Sequence, residues 1–204
     1  VHGAVTDTAI TIEIGTTNYK ILIESAEEAL KNAIDLAKPG VSLGSIGRVI
    51  EKTIRGYGFS PIINLSGHRM DLYEVHTKPS IPNYDNGDVS LLTEGYVFAI
   101  EPFATMGVGE VSEGKPSGIY SLVQVKNIRD LSARKILEFI VETYKTLPFS
   151  ERWIITVFGM RAKLSLLLLE RQGIIKQYSL LPEKSKGQVA QAERTIIVGK
   201  GVIN

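Results

Sequence analysis

The chain has no cysteine among its 204 residues, which removes disulfides and thiolate metal sites together. It has only three histidines and a single tryptophan. Any metal must therefore be held by carboxylates and a few imidazoles. Charge of either sign is also scarce in net terms: 23 basic and 22 acidic side chains leave +1, too weak a field to make nucleic acid the main partner. No apolar run approaches the roughly 18 residues of a membrane span. The longest, Leu164 to Leu169, is far shorter. No secretory signal is read in the opening residues, and with cysteine absent the cytoplasm is the expected location. Repeats and low-complexity tracts are missing too. What remains is ordinary globular composition, 44% hydrophobic and 22% charged, enough for one domain and a subdomain with a sizeable core.

Periodicity then divides the chain. Ala4 to Ile14 reads as a strand, with Ile10, Ile12 and Ile14 on one face and Asp7 on the other. It is the first readable element and Val1 is not a methionine, so the fold is expected to begin upstream, leaving an unpaired sheet edge at Val1 to Asp7. Tyr19 to Lys38 carries a helical stripe of Leu22, Ala26, Ala29, Leu30 and Ala33, stopped by Pro39-Gly40. A second helix follows the Ser42 cap and ends at Gly56. Phe59 to Leu65 predicts a strand, Arg69 to Gly95 an irregular loop, Val97 to Ile100 a strand and Gly107 to Gly118 a loop. Then come a strand at Ile119 to Val125, helices at Ser132 to Tyr144, Ser150 to Phe158 and Arg161 to Gln172, and a short strand at Ile174 to Leu181. Val189 to Val198 predicts the last long strand.

Four side chains stand out. Asp7 lies in a β pattern, where aspartate is disfavoured. His68 follows Gly67 at the end of an apolar segment. Glu101 sits between Phe98-Ala99-Ile100 and Pro102-Phe103, and Glu193 lies inside a strand-like run. A buried carboxylate costs several kcal/mol unless a cation or hydrogen bonds offset it. Each also has a plainer reading: a carboxylate bonded to backbone amides, a structural histidine, a solvated glutamate. Together, three carboxylates and an imidazole form the mixed donor set of hard-to-borderline divalent metals, which points to metal-assisted hydrolysis. His76 is either a substrate contact or a loop histidine, and His2 is read as unimportant.

The segments D-T-A-I-T at Asp7, N-L-S-G-H at His68, E-P-F-A-T-M-G-V-G at Glu101 and Q-A-E-R-T-I-I-V around Glu193 resemble the ligand motifs of type II, archaeal-like methionine aminopeptidases, in the pita-bread metallopeptidase family M24. The resemblance covers nearly the whole chain. It implies an α+β pita-bread (creatinase/aminopeptidase) fold, truncated at its N-terminus. Residues 1–118 and 187–204 would form the catalytic core around an inserted winged-helix-like helical subdomain at 119–186. It also implies two divalent metal ions (Co, Mn, Fe, Ni or Zn) sharing a water, with Asp7, His68, Glu101 and Glu193 as ligands. Glu101 would act as proton shuttle, His76 as catalytic and substrate-binding histidine, and Phe103 and the loop Tyr73 to Pro82 as walls of the methionine pocket. The substrates would be peptide or nascent-protein N-termini, with possible ribosome association, no membrane partner and a monomeric state. The family has a fifth ligand, an aspartate, and a further histidine, both ahead of Asp7, and no residue here matches either. The 204-residue polypeptide is therefore expected to hold its second metal poorly and to turn over little substrate. Arg194 also departs from the family, where histidine is common. Two rivals remain. One is a non-catalytic binding module on this fold, associated with ribosome or nucleic acid through Arg161, Lys163, Arg171 and Lys176. The other is a prolidase or aminopeptidase P, which the motif G-H-R-M-D-L-Y at Gly67 disfavours.

Overall fold

A computed structural model describes residues 2–204, so the first residue of the expected edge at Val1 to Asp7 lies outside it. In chain order the elements are helices α1 (Lys20–Leu36) and α2 (Leu43–Gly56), then strands β1 (Ser60–Pro61), β2 (Ser66–Asp71), β3 (Glu74–Pro82), β4 (Val97–Ile100), β5 (Phe103–Thr105) and β6 (Pro116–Leu122). Helix α3 (Leu131–Thr143), strand β7 (Phe149–Ser150), helices α4 (Glu151–Phe158) and α5 (Ala162–Arg171) and strand β8 (Ile175–Ser179) follow. The chain closes on β9 (Val189–Gln191), β10 (Arg194–Ile197) and β11 (Gly201–Val202). Two compact units result: Val1–Ser112 with Pro182–Asn204, and Glu113–Leu181.

The first unit holds an antiparallel five-stranded sheet in the order β11-β10-β4-β2-β3 and a three-stranded sheet β1-β5-β9. Helix α1 forms because its small and aliphatic residues recur at helical spacing, and Leu22, Ala26, Ala29, Leu30 and Ala33 are all buried. The Glu13 carboxylate accepts the amides of Asn18 (2.8 Å) and Tyr19 (3.0 Å) just before it. Ser42 caps α2, its side chain accepting the Ser45 amide. Both helices pack with Phe98, Ile100, Ala104, Ala190 and Ile196 in one core. Burying each large aliphatic or aromatic side chain there stabilises the fold by about 1.5–3 kcal/mol.

Four segments depart from the sequence reading. The stretch 69–95, expected as loop, contains the hairpin β2–β3. Its second strand is the outer edge of the sheet, where Pro79 and Pro82 remove no ladder bond the sheet needs. The strand expected at Phe59 to Leu65 shrinks to Ser60–Pro61, and the longer strand starts at Ser66. Ala4 to Ile14 is extended but carries only one bridge, Ala9 to Glu193. Hydroxyls replace ladder bonds there: Thr8 donates to the Glu193 carbonyl (3.1 Å) and Thr11 to that of Gln191 (2.8 Å). Its isoleucine face is not core: Ile10, Ile12 and Ile14 are 61%, 68% and 90% exposed. The last long strand divides into β9 and β10, broken at Ala192-Glu193.

The second unit packs α3, α4 and α5 with the sheet β7-β6-β8. Its helices lie within a residue or two of their sequence-predicted spans. Asp130, accepting the Ala133 amide at 2.8 Å, starts α3, and Ser150 starts α4. Tyr120 and Phe149 stack beside Ile136, Ile140, Leu166 and Leu169 in a separate core. The strand β6 crosses the boundary expected at 118/119. Among the described residues no helix is long and apolar enough to cross a membrane.

Gly67 is required by close backbone approach. A Cβ there would lie 2.4 Å from the Ala99 carbonyl oxygen of the neighbouring strand β4. Gly67→Ala is expected to part β2 from β4 beside His68 and to cost about 1–3 kcal/mol, read as a lowered urea midpoint with an unchanged m-value.

Candidate metal centre

His68, Glu101 and Glu193 are delivered to one place by neighbouring strands of the central sheet. In β2, His68 pairs with Ala99 of β4. Glu101 leaves the end of β4, whose last residue, Ile100, pairs with Arg194 of β10. Glu193 immediately precedes β10. Asp7 reaches the same place from the extended segment that Ala9 ties to Glu193. One oxygen of Asp7, one of Glu193 and one nitrogen of His68 all lie within 4.8 Å of one another. The His68 Nε2 atom is 3.6 Å from Asp7 Oδ2 and 3.6 Å from Glu101 Oε1. Residues separated by up to 186 positions thus converge.

The electrostatics follow from crowding like charges under an apolar sheet. Burial, then Glu193, then Asp7 push the Glu101 carboxyl up to about 9. Burial and Asp7 push Glu193 up to about 7. Burial, and next the neighbouring His76, lower the pKa of His68, so its imidazole is held neutral with a lone pair to give. His76 is itself exposed on β3, its ring centroid 4.3 Å from that of His68.

Three supporting groups, Gln191, Thr195 and Asn204, were not singled out from the sequence. Gln191 donates through Nε2 to Glu101 Oε2 and to Glu193 Oε2, each at 3.3 Å. Its spacing two residues before Glu193 was the available signal, because period two puts both on one face of a strand. Thr195 Oγ1 accepts the Asp7 amide (2.7 Å) and donates to the Asp7 carbonyl (2.8 Å), which the Asn204 side-chain amide also reaches at 2.7 Å. These contacts fix the Asp7 backbone. Arg194 donates to the Glu193 carbonyl (2.8 Å) and to Thr8 Oγ1 (3.0 Å), so it braces two main-chain segments. Phe103 is half-buried on β5, in register with Gln191 of β9.

The residues fit a divalent cation on three grounds. The donors are oxygens and one neutral imidazole nitrogen. Glu193 Oε1 is buried with no hydrogen-bond partner. Carboxylates this close in an apolar setting cannot all ionise without a positive charge among them.

A fold of helices over antiparallel sheets whose strand ends converge three carboxylates and a histidine defines a metallohydrolase class. The comparisons specify it. A profile for Metallopeptidase family M24 matches residues 1–151. Methionine aminopeptidases of Thermococcus kodakarensis and Pyrococcus horikoshii are 46% and 45% identical over 202 residues, 98% of this chain. That of Saccharolobus solfataricus is 43% identical over 204. The chain belongs to metallopeptidase family M24, within its methionine aminopeptidases, and the use of metal comes with that membership. It spans 68% of the Thermococcus and Pyrococcus proteins and 66% of the Saccharolobus one. Among solved structures, that of a thermophilic Arx1 superposes with a TM-score of 0.80 at 19% identity, covering all of this chain and 63% of that one. A methionine aminopeptidase from Thermotoga maritima superposes with a TM-score of 0.59 at 22% identity, covering 97% and 56%. These structural likenesses carry the fold, which is the pita-bread arrangement.

The raised carboxyls give the metal-free protein a definite pH dependence. Both bind their protons more tightly folded than unfolded. The unfolded chain therefore releases them first, and stability falls as pH rises from the ordinary value of 4.5 through about 7 and about 9. In chelator, the thermal midpoint is expected to drop steadily over that window. Glu101→Gln should remove most of the drop and add on the order of 2–4 kcal/mol at about pH 8. A midpoint that rises with pH would contradict this origin.

Proposed function

We propose that the cluster is the catalytic centre of a methionyl aminopeptidase that hydrolyses the bond after an N-terminal methionine of peptides and nascent proteins. The observation that carries the reading is the convergence of Asp7, His68 and Glu193, with Glu101 beside His68. Asp7, His68, Glu101 and Glu193 would hold the divalent ions, two in the full reading, drawn from Co, Mn, Fe, Ni and Zn. Bound there, such ions polarise a carbonyl and lower the pKa of water from about 15.7 toward about 7.

The chain's own groups supply the rest. Glu101, ionised beside a bound cation, takes a proton from the attacking water at a carboxylate oxygen and later hands it to the leaving amine. His76, exposed beside His68, donates a hydrogen bond to the oxygen on which charge develops. Phe103 and the residues of β3 offer apolar surface to the methionine side chain. Nascent chains as substrates would place the protein near ribosomes, with a monomer sufficient for the chemistry and the cytoplasm as its setting.

The rival binding-module reading rested on the unmatched fifth ligand and on four basic residues of the second unit. Two of them have engagements within that unit: Lys163 pairs with Glu151 at 2.9 Å, and Lys176 lies over the Tyr178 ring. That favours the peptidase over a nucleic-acid surface.

Protein carrying this chain and supplied with Co²⁺ or Mn²⁺ is expected to release methionine from Met-Ala-Ser and to leave Xaa-Pro peptides intact. Glu101→Gln should lower kcat roughly 10²–10⁴-fold. His76→Ala should lower kcat with little change in KM. Equal cleavage of Xaa-Pro substrates, or full activity in Glu101→Gln, would overturn the assignment.

A further inference from the structure

Gln191 stands apart from the four donors, yet one atom of it touches two of them. Its Nε2 carries two hydrogens and lies 3.3 Å from Glu101 Oε2 and 3.3 Å from Glu193 Oε2. The other oxygens face elsewhere. Glu101 Oε1 is turned to His68 Nε2, 3.6 Å away, and Glu193 Oε1 is buried without a hydrogen-bond partner. The strand under the amide is itself pinned. Thr11 Oγ1 accepts the Gln191 amide N–H (2.8 Å) and donates to the Gln191 carbonyl (2.8 Å), while Phe103 of β5 pairs with it on the other side.

From this arrangement we infer that Gln191 is a positioning residue that decides which oxygen of each glutamate is presented to a cation. The inference rests on the metal reading of the cluster. One amide satisfies one oxygen of each carboxylate and so fixes the rotation of both about their terminal bonds. It does so without charge. A lysine or arginine at this point would neutralise the carboxylates and compete with the cation, and a carboxylate would add a third like charge to the pair. An amide orients without doing either. It also spans both glutamates, so the rotation of one is coupled to that of the other.

The test uses metal binding. Co²⁺ is titrated into metal-free protein carrying this chain by calorimetry, and its visible d–d absorption is recorded. Gln191→Met keeps length and volume and removes the donor. It is expected to weaken Co²⁺ binding roughly 10–100-fold, the range for residues that orient ligands, and to alter the d–d band while the metal-free thermal midpoint stays within a few degrees. Gln191→Asn, which keeps the amide on a shorter arm, should fall between Gln191→Met and the unaltered chain, and it serves also if Gln191→Met fails to fold. A Gln191→Met protein with unchanged affinity and an unchanged band, beside an unaltered chain that binds Co²⁺, would overturn the role of Gln191 alone. An unaltered chain that binds no Co²⁺ would overturn the metal reading, and the inference with it.

Discussion

The carboxylates of Asp7 and Glu193, one oxygen of each within 4.8 Å of the other, and that of Glu101 beside His68 form the constraint on which the rest of this structure depends. Left to themselves they repel, and desolvation adds to the cost. The fold offsets this with proton uptake when no cation is present, which is why Glu101 and Glu193 are driven to bind protons far above the ordinary carboxyl range. A divalent ion would exchange for those protons. Folding, protonation and metal binding are then one linked equilibrium. The surrounding core resists the collapse or splaying that would relieve the repulsion. Phe98, Ala99 and Ile100 of β4 are fully buried and lead directly to Glu101. Close backbone packing at Gly67 keeps β2 against β4 and sets His68 in place.

How far the sequence reveals this depends on the range of the interactions involved. Helices α1, α2 and α3 are legible because their signals are local: a buried stripe at helical spacing, a capping hydroxyl or carboxylate, a terminating glycine or proline. Glu101 is conspicuous in the sequence because a surface glutamate usually has polar neighbours, and Phe98-Ala99-Ile100 and Pro102-Phe103 are apolar. The β2–β3 hairpin is hidden by Pro79 and Pro82. Those prolines argue for loop until β3 is known to be an edge strand, and edge position is a property of the whole sheet. The extended segment around Asp7 misleads in the other direction. Its alternating isoleucines promise a buried face, yet its tertiary ties come from Thr8, Thr11 and Thr195 hydroxyls and leave that face exposed. Those ties cross 180 to 188 residues of sequence, beyond any windowed pattern.

The second unit has its own physical logic. Its core holds Tyr120 stacked on Phe149 among aliphatic residues of α3 and α5, and the stack runs outward from Phe149 through half-buried Tyr144 to exposed Trp153. None of the four donors comes from it, and neither does Gln191. The chain leaves the first unit after Ser112 and returns at Pro182, so the insertion falls between Glu101 and Glu193 in sequence. The register that joins β4 to β10 therefore survives a detour of the intervening residues. It can do so because loop-closure entropy grows slowly with length, while each paired strand and buried isoleucine repays a fixed amount.

Within the cluster the donors are unequally solvated, and the inequality suggests a division of labour. The side chains of His68 and Glu101 are 6% and 14% exposed, whereas that of Asp7 is 39% exposed. Asp7 is held through its main chain, by Thr195 and Asn204, and its carboxylate is left beside water. Glu101 and Glu193 are held through their side chains by Gln191. A fixed backbone with a wetted carboxylate can exchange a water for an incoming group at modest reorganisation cost. Two oriented, dry carboxylates cannot, since moving either disturbs the amide shared with the other.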